Sequence, residues 1–430
     1  MRFSATGDAL ITRRYPALDP ALADVIRSAE VRFTNFETTV PSGRGYPAND
    51  WGGTYTSAPP GAIADLAAMG FNLFGRANNH VGDWREDGVL ATTAAFGAAG
   101  VVHAGVGANL AEARRPGYLD LPGAKVALIA VTTAPPGSAY RAGPQRPDCQ
   151  GRPGASCLRF SHTITVPEAD FARLQGIMAA TPLAVERRHS IDLGFAAPDA
   201  AGSLSVGGAR FRAGDAYGEE WSAHAGDQEE LLRVVRDARR QAGFVLVAFH
   251  GHEASPDAPG GIPSFHRDFC RACIEAGADA VIGHGPHQLR GIEVYRGRPI
   301  LYSLGNFIFQ NEEVEVLPAD FYERMGLDPL AATPADAFDR RNSRGKGGFL
   351  GDPAYWRAAV AWWACEGERL SELRLYPIDL HRDRRRGERG RPTLAAESVA
   401  REIVSEMNAL SAPLGARVEW RAEGYGAVRW

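Results

Sequence analysis

Hydrophobic residues run along the chain in short blocks that alternate with longer amphipathic stretches. Arg2–Thr6 and Val31–Asn35 read as strands, and Pro20–Ala29 between them has the three-to-four-residue spacing of a helix. Gly61–Met69 and Glu86–Ala99 repeat the helical spacing, while Phe71–Ala77, Val101–Ala104 and Ala124–Thr132 continue the strand series. Such alternation predicts stacked βαβ units, an α/β fold rather than a sandwich or a helical bundle. The rhythm breaks between Ala134 and Asp227, a stretch rich in Gly, Pro, Ser and Arg with one clear helix, Glu168–Ala179. A structureless loop of that length does not suit a compact domain, so an inserted irregular or β-rich cap is expected there.

The rhythm returns with helix Gln228–Gln241, strand Phe244–His250, helix Ser264–Ala276 and strand Ala278–Gly283. Ile292–Tyr295 and Pro299–Ser303 flank a turn and read as a hairpin. Gln310–Pro353 is again irregular; Ala358–Cys365 and Leu370–Pro377 are strand-like, and Ala395–Leu410 is an amphipathic helix. The expected organisation is therefore a core over 1–133 and 228–309, an insert over 134–227, an irregular loop over 310–353, and strands and a helix over 354–430 that complete the core.

Composition narrows the function. With 47 Lys+Arg against 51 Asp+Glu and a net charge of −4, no global basic field recruits nucleic acid or an anionic membrane. Lys125 and Lys346 are the only lysines, a bias that fits a GC-rich genome better than phosphate binding. No run of about 18 apolar residues or cleavable leader is apparent, and a cytoplasmic location is expected. Cys270 and Cys273 sit at helical spacing, which fits a half-buried helix face better than a zinc or redox pair. The run Arg382–Arg391 reads as a solvated loop, with contact to an acidic polymer as its functional alternative.

Polar side chains of metal-ligand type recur at the predicted strand ends. Asp8 follows the first strand, Glu37 the second, and Asn78-Asn79-His80 the third, with Asp83 nearby. His250-Gly251-His252-Glu253 and His284-Gly285-Pro286-His287 end two later strands. Loops at the carboxyl ends of parallel strands converge on one crevice. Asp8, Glu37, Asn79, His250, His284 and His287 would therefore meet there as a ligand set for divalent metal, numerous enough for two ions about 3.5–4 Å apart.

Gly7-Asp8, Asn35-Phe36-Glu37, Asn78-Asn79-His80, His250-Gly251, Gly283–His287 and Ser303–Phe307, taken in order, resemble the motif series of the CapA family, named for poly-γ-glutamate capsule synthesis. The resemblance covers roughly 1–131 and 228–309. It implies a calcineurin-like metallophosphoesterase core of αββα type, metal ligands at the six residues above, and Glu37 as a bridging carboxylate. It also implies that His80 works beside the metal as an acid/base or charge-stabilising group, and that Ser303–Phe307 forms the floor of the site. Two departures stand out. Asp-x-His is expected in the first motif, whereas Ala9 and Leu10 follow Asp8, so one metal position lacks a ligand and a single ion is an alternative to two. In the fourth motif, His-Trp-Gly is replaced by His250-Gly251-His252-Glu253, where His252 is either a loop residue, a third ligand or a general base.

The metal, one ion or two, is not specified among Mn, Zn, Fe, Mg and Ca by mixed oxygen and nitrogen ligands. The resemblance implies three activities. The favoured one is a peptide epimerase of the lasso-peptide branch of ribosomal-peptide pathways. Metal would hold the free C-terminal carboxylate of a peptide, and acid/base groups drawn from His80, Asp83, His252 and Glu253 would exchange the Cα proton. The others are hydrolysis of a phosphoester or γ-glutamyl amide, and non-catalytic binding of poly-γ-glutamate.

Overall fold

The computed structural model describes residues 1–43, 45–49, 53–133 and 140–430. The chain is mixed α/β with several sheets and divides into two compact units, Met1–Leu158 with Gly226–Trp430, and Arg159–Ala225. Among the described residues no helix is long and apolar enough to cross a membrane.

The large unit holds two principal sheets. One runs in the order Arg417–Arg421, Tyr425–Arg429, Arg369–Asp379, Arg357–Glu366, Arg2–Leu10, Val31–Phe36, Leu73–Gly75 and Val102–Ala104. The last four are mutually parallel, and Asn306–Phe309 pairs in parallel with the far end of Arg2–Leu10. The other runs Leu289–Tyr295, Arg298–Leu304, Ala280–His284, Phe244–His250, Ala124–Thr132 and Gly117–Leu121, parallel at its centre. Its central strands are continuous apolar runs because both faces are covered. Phe3, Phe33 and Trp363 of the first sheet meet Leu128, Leu246 and Ile282 of the second in one buried core. On the first sheet's other face, Phe36 and Phe74 pack against Leu22 and Ile26 of helix Pro20–Arg27 and Ile63 and Leu66 of helix Ala62–Met69. Phe249 of the second sheet packs outward on Phe269 of helix Ser264–Glu275, ring centroids 5.4 Å apart.

Local chemistry sets these elements. Asp19 accepts from the Leu22 N–H at 3.0 Å and Pro20 supplies the first helical turn, so helix Pro20–Arg27 starts there. Helix Ser264–Glu275 buries Cys270 and Cys273 with Phe265 and Phe269; burial pushes both thiols up, as befits a packed helix face. Cys149, Cys270, Cys273 and Cys365 are free thiols.

Several expectations change. The first strand does not end at Thr6; it runs to Leu10 through a shift in pairing between Ala5 and Asp8. Phe3 and Ala5 face the inter-sheet core, whereas Ala9 faces the helices, so the extra residue at the bulge reverses the faces and turns Asp8 inward. Residues 134–139 of the expected insert lie outside the described residues. The separate unit begins only at Arg159, because Gly154–Ala155 pairs with Val106–Gly107 and Cys157 bridges to Thr132 in the large unit. That unit is a four-stranded sheet, Ser203–Val206, Ala209–Gly214, Phe160–Pro167 and Gly218–Ala223, with helix Pro182–Asp192 in addition to the expected Glu168–Ala179. The segment 310–353 contains helices Ala319–Arg324 and Pro334–Arg341, the latter started by a Thr333/Asp336 capping box. The run Arg382–Arg391 is not wholly solvated: Arg386 and Arg389 turn toward buried Glu312, at 3.3 Å and 3.9 Å.

The bulge depends on close backbone approach. The Asp8 N–H donates to the Gly305 carbonyl at 3.1 Å, and a Cβ on Gly7 would collide with that same oxygen. Gly7→Ala is therefore expected to lower stability by about 1–3 kcal/mol or more in chemical denaturation. Gly97→Ala, in helix Arg85–Ala99 with nothing within 4 Å of the added methyl, should raise it by about 0.5–1 kcal/mol. Equal effects at the two positions would refute the close-approach argument.

Candidate metal centre

The ends of parallel strands from both sheets of the large unit meet around Asp8. Asn35, on the neighbouring strand, aligns with Asp8 and donates to its Oδ1 at 2.8 Å. The Gly285 N–H donates to Asp8 Oδ2 at 2.9 Å. His250 and His284 are aligned across adjacent strands of the second sheet, and their Nδ1 atoms lie 2.9 Å apart, each 3.6 Å from Asp8 Oδ1. His287 Nδ1 approaches Asp8 Oδ2 at 3.5 Å and Glu37 Oε2 at 3.7 Å, while Glu37 Oε1 is 3.5 Å from His250 Nε2. Asn79 Oδ1 lies 2.8 Å from the same His250 nitrogen. All six residues expected as ligands thus come together, and all are buried.

Three overlapping groups have potential ligand atoms within 4.8 Å of one another: Asp8–His250–His284, Asp8–Glu37–His287 and Glu37–His250–His252. The third brings in His252, whose Nε2 is 3.0 Å from that of His250. Leu10 lines the cavity beside the cluster, and His252 joins from the altered fourth motif.

The donor set suits a cation. Among the described residues, neither oxygen of fully buried Glu37 has a hydrogen-bond partner, and the Nε2 of His284 also has none. Burial, reinforced by the charge of Asp8, pushes the Glu37 carboxyl well above its ordinary range. Burial acts on Asp8 in the same direction, but the hydrogen bond and charge of His250, the largest opposing influences, help to outweigh it and hold Asp8 low. Burial brings His284 down to about 3 and His287 to about 4, so both imidazoles are neutral, the form that ligates metal. Ionised together, Asp8 and Glu37 would place negative charge beside the neutral imidazoles of His284 and His287, and a divalent ion would balance it.

His287 has a left-handed backbone, φ 62°, unusual for a non-glycine residue. Asn306 holds it: the Asn306 Oδ1 lies 2.8 Å from His287 Nδ1, and its Nδ2 donates to the carbonyls of Tyr355 at 3.0 Å and His287 at 3.3 Å. Asn306 therefore positions a candidate ligand, consistent with its place in the expected floor. Asn35 and Asn306 carry this supporting role without any spacing signal beyond the quoted motifs.

The four expected acid/base residues separate. His80 and His252 line a cavity of about 360 Å³ that opens over the cluster. Asp83 does not line it: fully buried, it accepts from His80 Nδ1 at 2.7 Å and from the Thr56 N–H and hydroxyl at 2.8 Å and 3.0 Å. Glu253 is also turned away, accepting from the Thr133 hydroxyl at 2.7 Å and meeting His266 Nε2 at 2.9 Å. Asp83 and Glu253 are thus not free acid/base groups, since neighbouring donors occupy them. Sequence reasoning missed Thr133, His266 and Arg290: Thr133 lies 120 residues from Glu253, and His266 and Arg290, though nearer the motifs, carry no spacing signal of their own.

Glu37→Gln tests the cation argument directly. After chelation the variant should melt at or above the wild-type temperature, since it removes an unpaired buried carboxyl. Manganese or zinc at a hundredfold excess over Kd should stabilise the wild type by about 2.7 kcal/mol and the variant far less. Equal metal-induced shifts in both proteins would count against Glu37 as a ligand.

Residues 3–311, which include every candidate ligand, match the family described as Bacterial capsule synthesis protein PGA_cap. Two uncharacterized proteins of Sinorhizobium fredii (strain NBRC 101917 / NGR234), y4sH and y4uA, are each 34% identical over 431 residues, covering 96% of this chain and 90% of theirs. The PGA biosynthesis protein CapA of Bacillus subtilis (strain 168) is 40% identical over 83 residues, 19% of this chain and 21% of its own. The capsule biosynthesis protein CapA of Bacillus anthracis is 23% identical over 259 residues, 59% of this chain and 44% of its own. With the motif residues gathered in one buried cluster and the family match running from the first strand to Asn311, the chain belongs to the PGA_cap family of bacterial capsule synthesis proteins.

Proposed function

We propose that the protein is a cytoplasmic, metal-dependent epimerase that inverts the Cα of a peptide's C-terminal residue, with lasso-type precursor peptides as the substrate class. The observation that carries this reading is a pair of imidazoles, His80 and His252, opening on one cavity above a buried carboxylate–imidazole cluster. A divalent cation held by Asp8, Glu37, Asn79, His250, His284 and His287 would supply positive charge against the substrate carboxylate and acidify the adjacent Cα–H. Asp83 accepts from Nδ1 of His80, which fixes the ring and leaves Nε2 to take or return a proton. His252, kept neutral chiefly by burial and then by the charge of His250, is the second proton-transfer group. One imidazole removes the Cα proton and the other delivers a proton to the opposite face, so the product has inverted configuration and unchanged composition. The segment 310–353, which brings Asn311, Arg341 and Phe349 to the cavity, is proposed to set which peptides are accepted.

The capsule and PGA biosynthesis names of the Bacillus relatives favour a second reading, hydrolysis or transfer at a γ-glutamyl amide, or binding of poly-γ-glutamate. Mass spectrometry in D₂O separates the readings, using metal-loaded protein with peptide acids, a γ-glutamyl oligomer and a phosphodiester. A one-unit mass gain in a peptide without cleavage, lost on chelation, is the expected result; cleavage without exchange would overturn it. His80→Ala should slow exchange by about 10²–10⁴-fold with metal content retained. Asp83→Asn, which disturbs the orientation of His80 while leaving the His80 side chain in place, should slow it by about 10–100-fold. Loss of metal in His80→Ala would instead identify His80 as a ligand.

A further inference from the structure

Two guanidiniums share the cavity with the imidazoles. Arg290 is 8% exposed, and its Nη2 donates to the Glu253 carbonyl at 2.7 Å. Arg341 is half-buried; its Nη1 donates to the Gly53 carbonyl at 3.0 Å and the Thr54 hydroxyl at 2.6 Å, with its guanidinium 5.4 Å from the Phe349 ring centre. Both side chains line the cavity, and no acidic side chain is among its described lining residues. Among the described residues, all acceptors on these two groups are neutral and neither group forms an ion pair. The nearby carboxylates are committed elsewhere: Glu253 to Thr133 and His266, and Glu312 to Asn342 and Arg386.

A desolvated guanidinium without a hydrogen-bonded counter-charge is unfavourable; buried Arg114 is paired with Asp227 at 3.0 Å, whereas buried Arg76, which does not line the cavity, has the Thr93 hydroxyl at 3.0 Å and the Phe96 ring as its partners. Burial accordingly brings Arg290 down to about 10, still a cation at neutral pH. The Nε of each arginine, Nη1 of Arg290 and Nη2 of Arg341 have no protein acceptor among the described residues. Thr54, the Gly53 carbonyl and the Phe349 ring hold Arg341 in place before any ligand arrives, which lowers the entropy lost on binding.

We propose that Arg341, with Arg290, forms a second anion subsite, so that the substrate carries an acidic side-chain carboxylate in addition to the carboxylate addressed at the metal cluster. The inference rests on the proposed reading only in placing that first carboxylate at the cluster. The guanidinium fork matches a planar carboxylate through paired N–H groups, and a neutral amide of the same shape forfeits the charge-assisted bonds.

Calorimetric titration of manganese-loaded, full-chain protein with N-acetyl-L-aspartate and its isostere N-acetyl-L-asparagine tests this. Wild type is expected to bind the aspartate about tenfold or more tightly than the asparagine. Arg341→Met should remove most of that preference and leave asparagine binding and metal content unchanged, and Arg341→Lys should restore part of it. Equal affinities in wild type, no aspartate binding at millimolar concentration, or a preference that survives in Arg341→Met would each overturn the subsite. Should Arg341→Met lose its cooperative melt, the wild-type comparison alone still decides. Asparagine binding that is indifferent to chelation would count against the metal-dependent reading, and it leaves the aspartate preference as a separate readout.

Discussion

Asp8 and Glu37 are buried together, and the surrounding structure is arranged around their mutual repulsion. Two carboxylates in a poorly solvated interior cannot both stay ionised without compensation. Here the compensation is unequal: Asp8 has two N–H donors and three imidazoles, whereas Glu37 has no donor on either oxygen among the described residues. A polar group left unmatched in this way would be a defect in a structural core. It is coherent in a site that binds a cation, because the ion supplies the missing charge.

Backbone geometry makes the cluster possible. The strand through Asp8 bulges, which reverses its faces and turns the carboxylate toward the second sheet. The absence of a side chain at Gly7 lets that strand lie against the Gly305 carbonyl. On the opposite sheet, Gly285 adopts φ 116° and donates its N–H to Asp8, a conformation most side chains would resist. The strain at His287 is held by Asn306, itself aligned with Asp8 on the paired strand. The candidate ligands thus rest on paired parallel strands and short turns, a rigid foundation for metal geometry.

The walls of the cavity come from elsewhere. Arg341 ends helix Pro334–Arg341, and Phe349 and Tyr355 follow shortly after it. This segment is anchored by Asn342, which donates to buried Glu312 at 2.6 Å, and Arg386 joins the same carboxylate from the charge run near the C-terminus. Arginines that look like a solvated loop therefore help to hold the wall through which a substrate would be read.

Much of the site was legible because its chemistry is local. A ligand-type side chain at the end of an apolar strand can be recognised from a few residues, and parallel strands carry such ends to one crevice whatever their loops do. Asp8, Glu37, Asn79, His250, His284 and His287 follow from that rule, as do the alternating strands and helices that carry them. What the chain could not declare locally are contacts between separate elements: Asn306 against Asp8, Glu253 against His266 and Thr133, and Arg341 against Thr54. These contacts decided that His80 and His252 face the cavity while Asp83 and Glu253 turn away, since four polar side chains of similar chemistry differ only in which donors fold up against them. The sequence by itself thus determined the ligand types and the strand ends that deliver them. Only the tertiary structure decided which groups are left free to act, because burial and hydrogen-bond competition belong to the packed chain and not to any one segment of it.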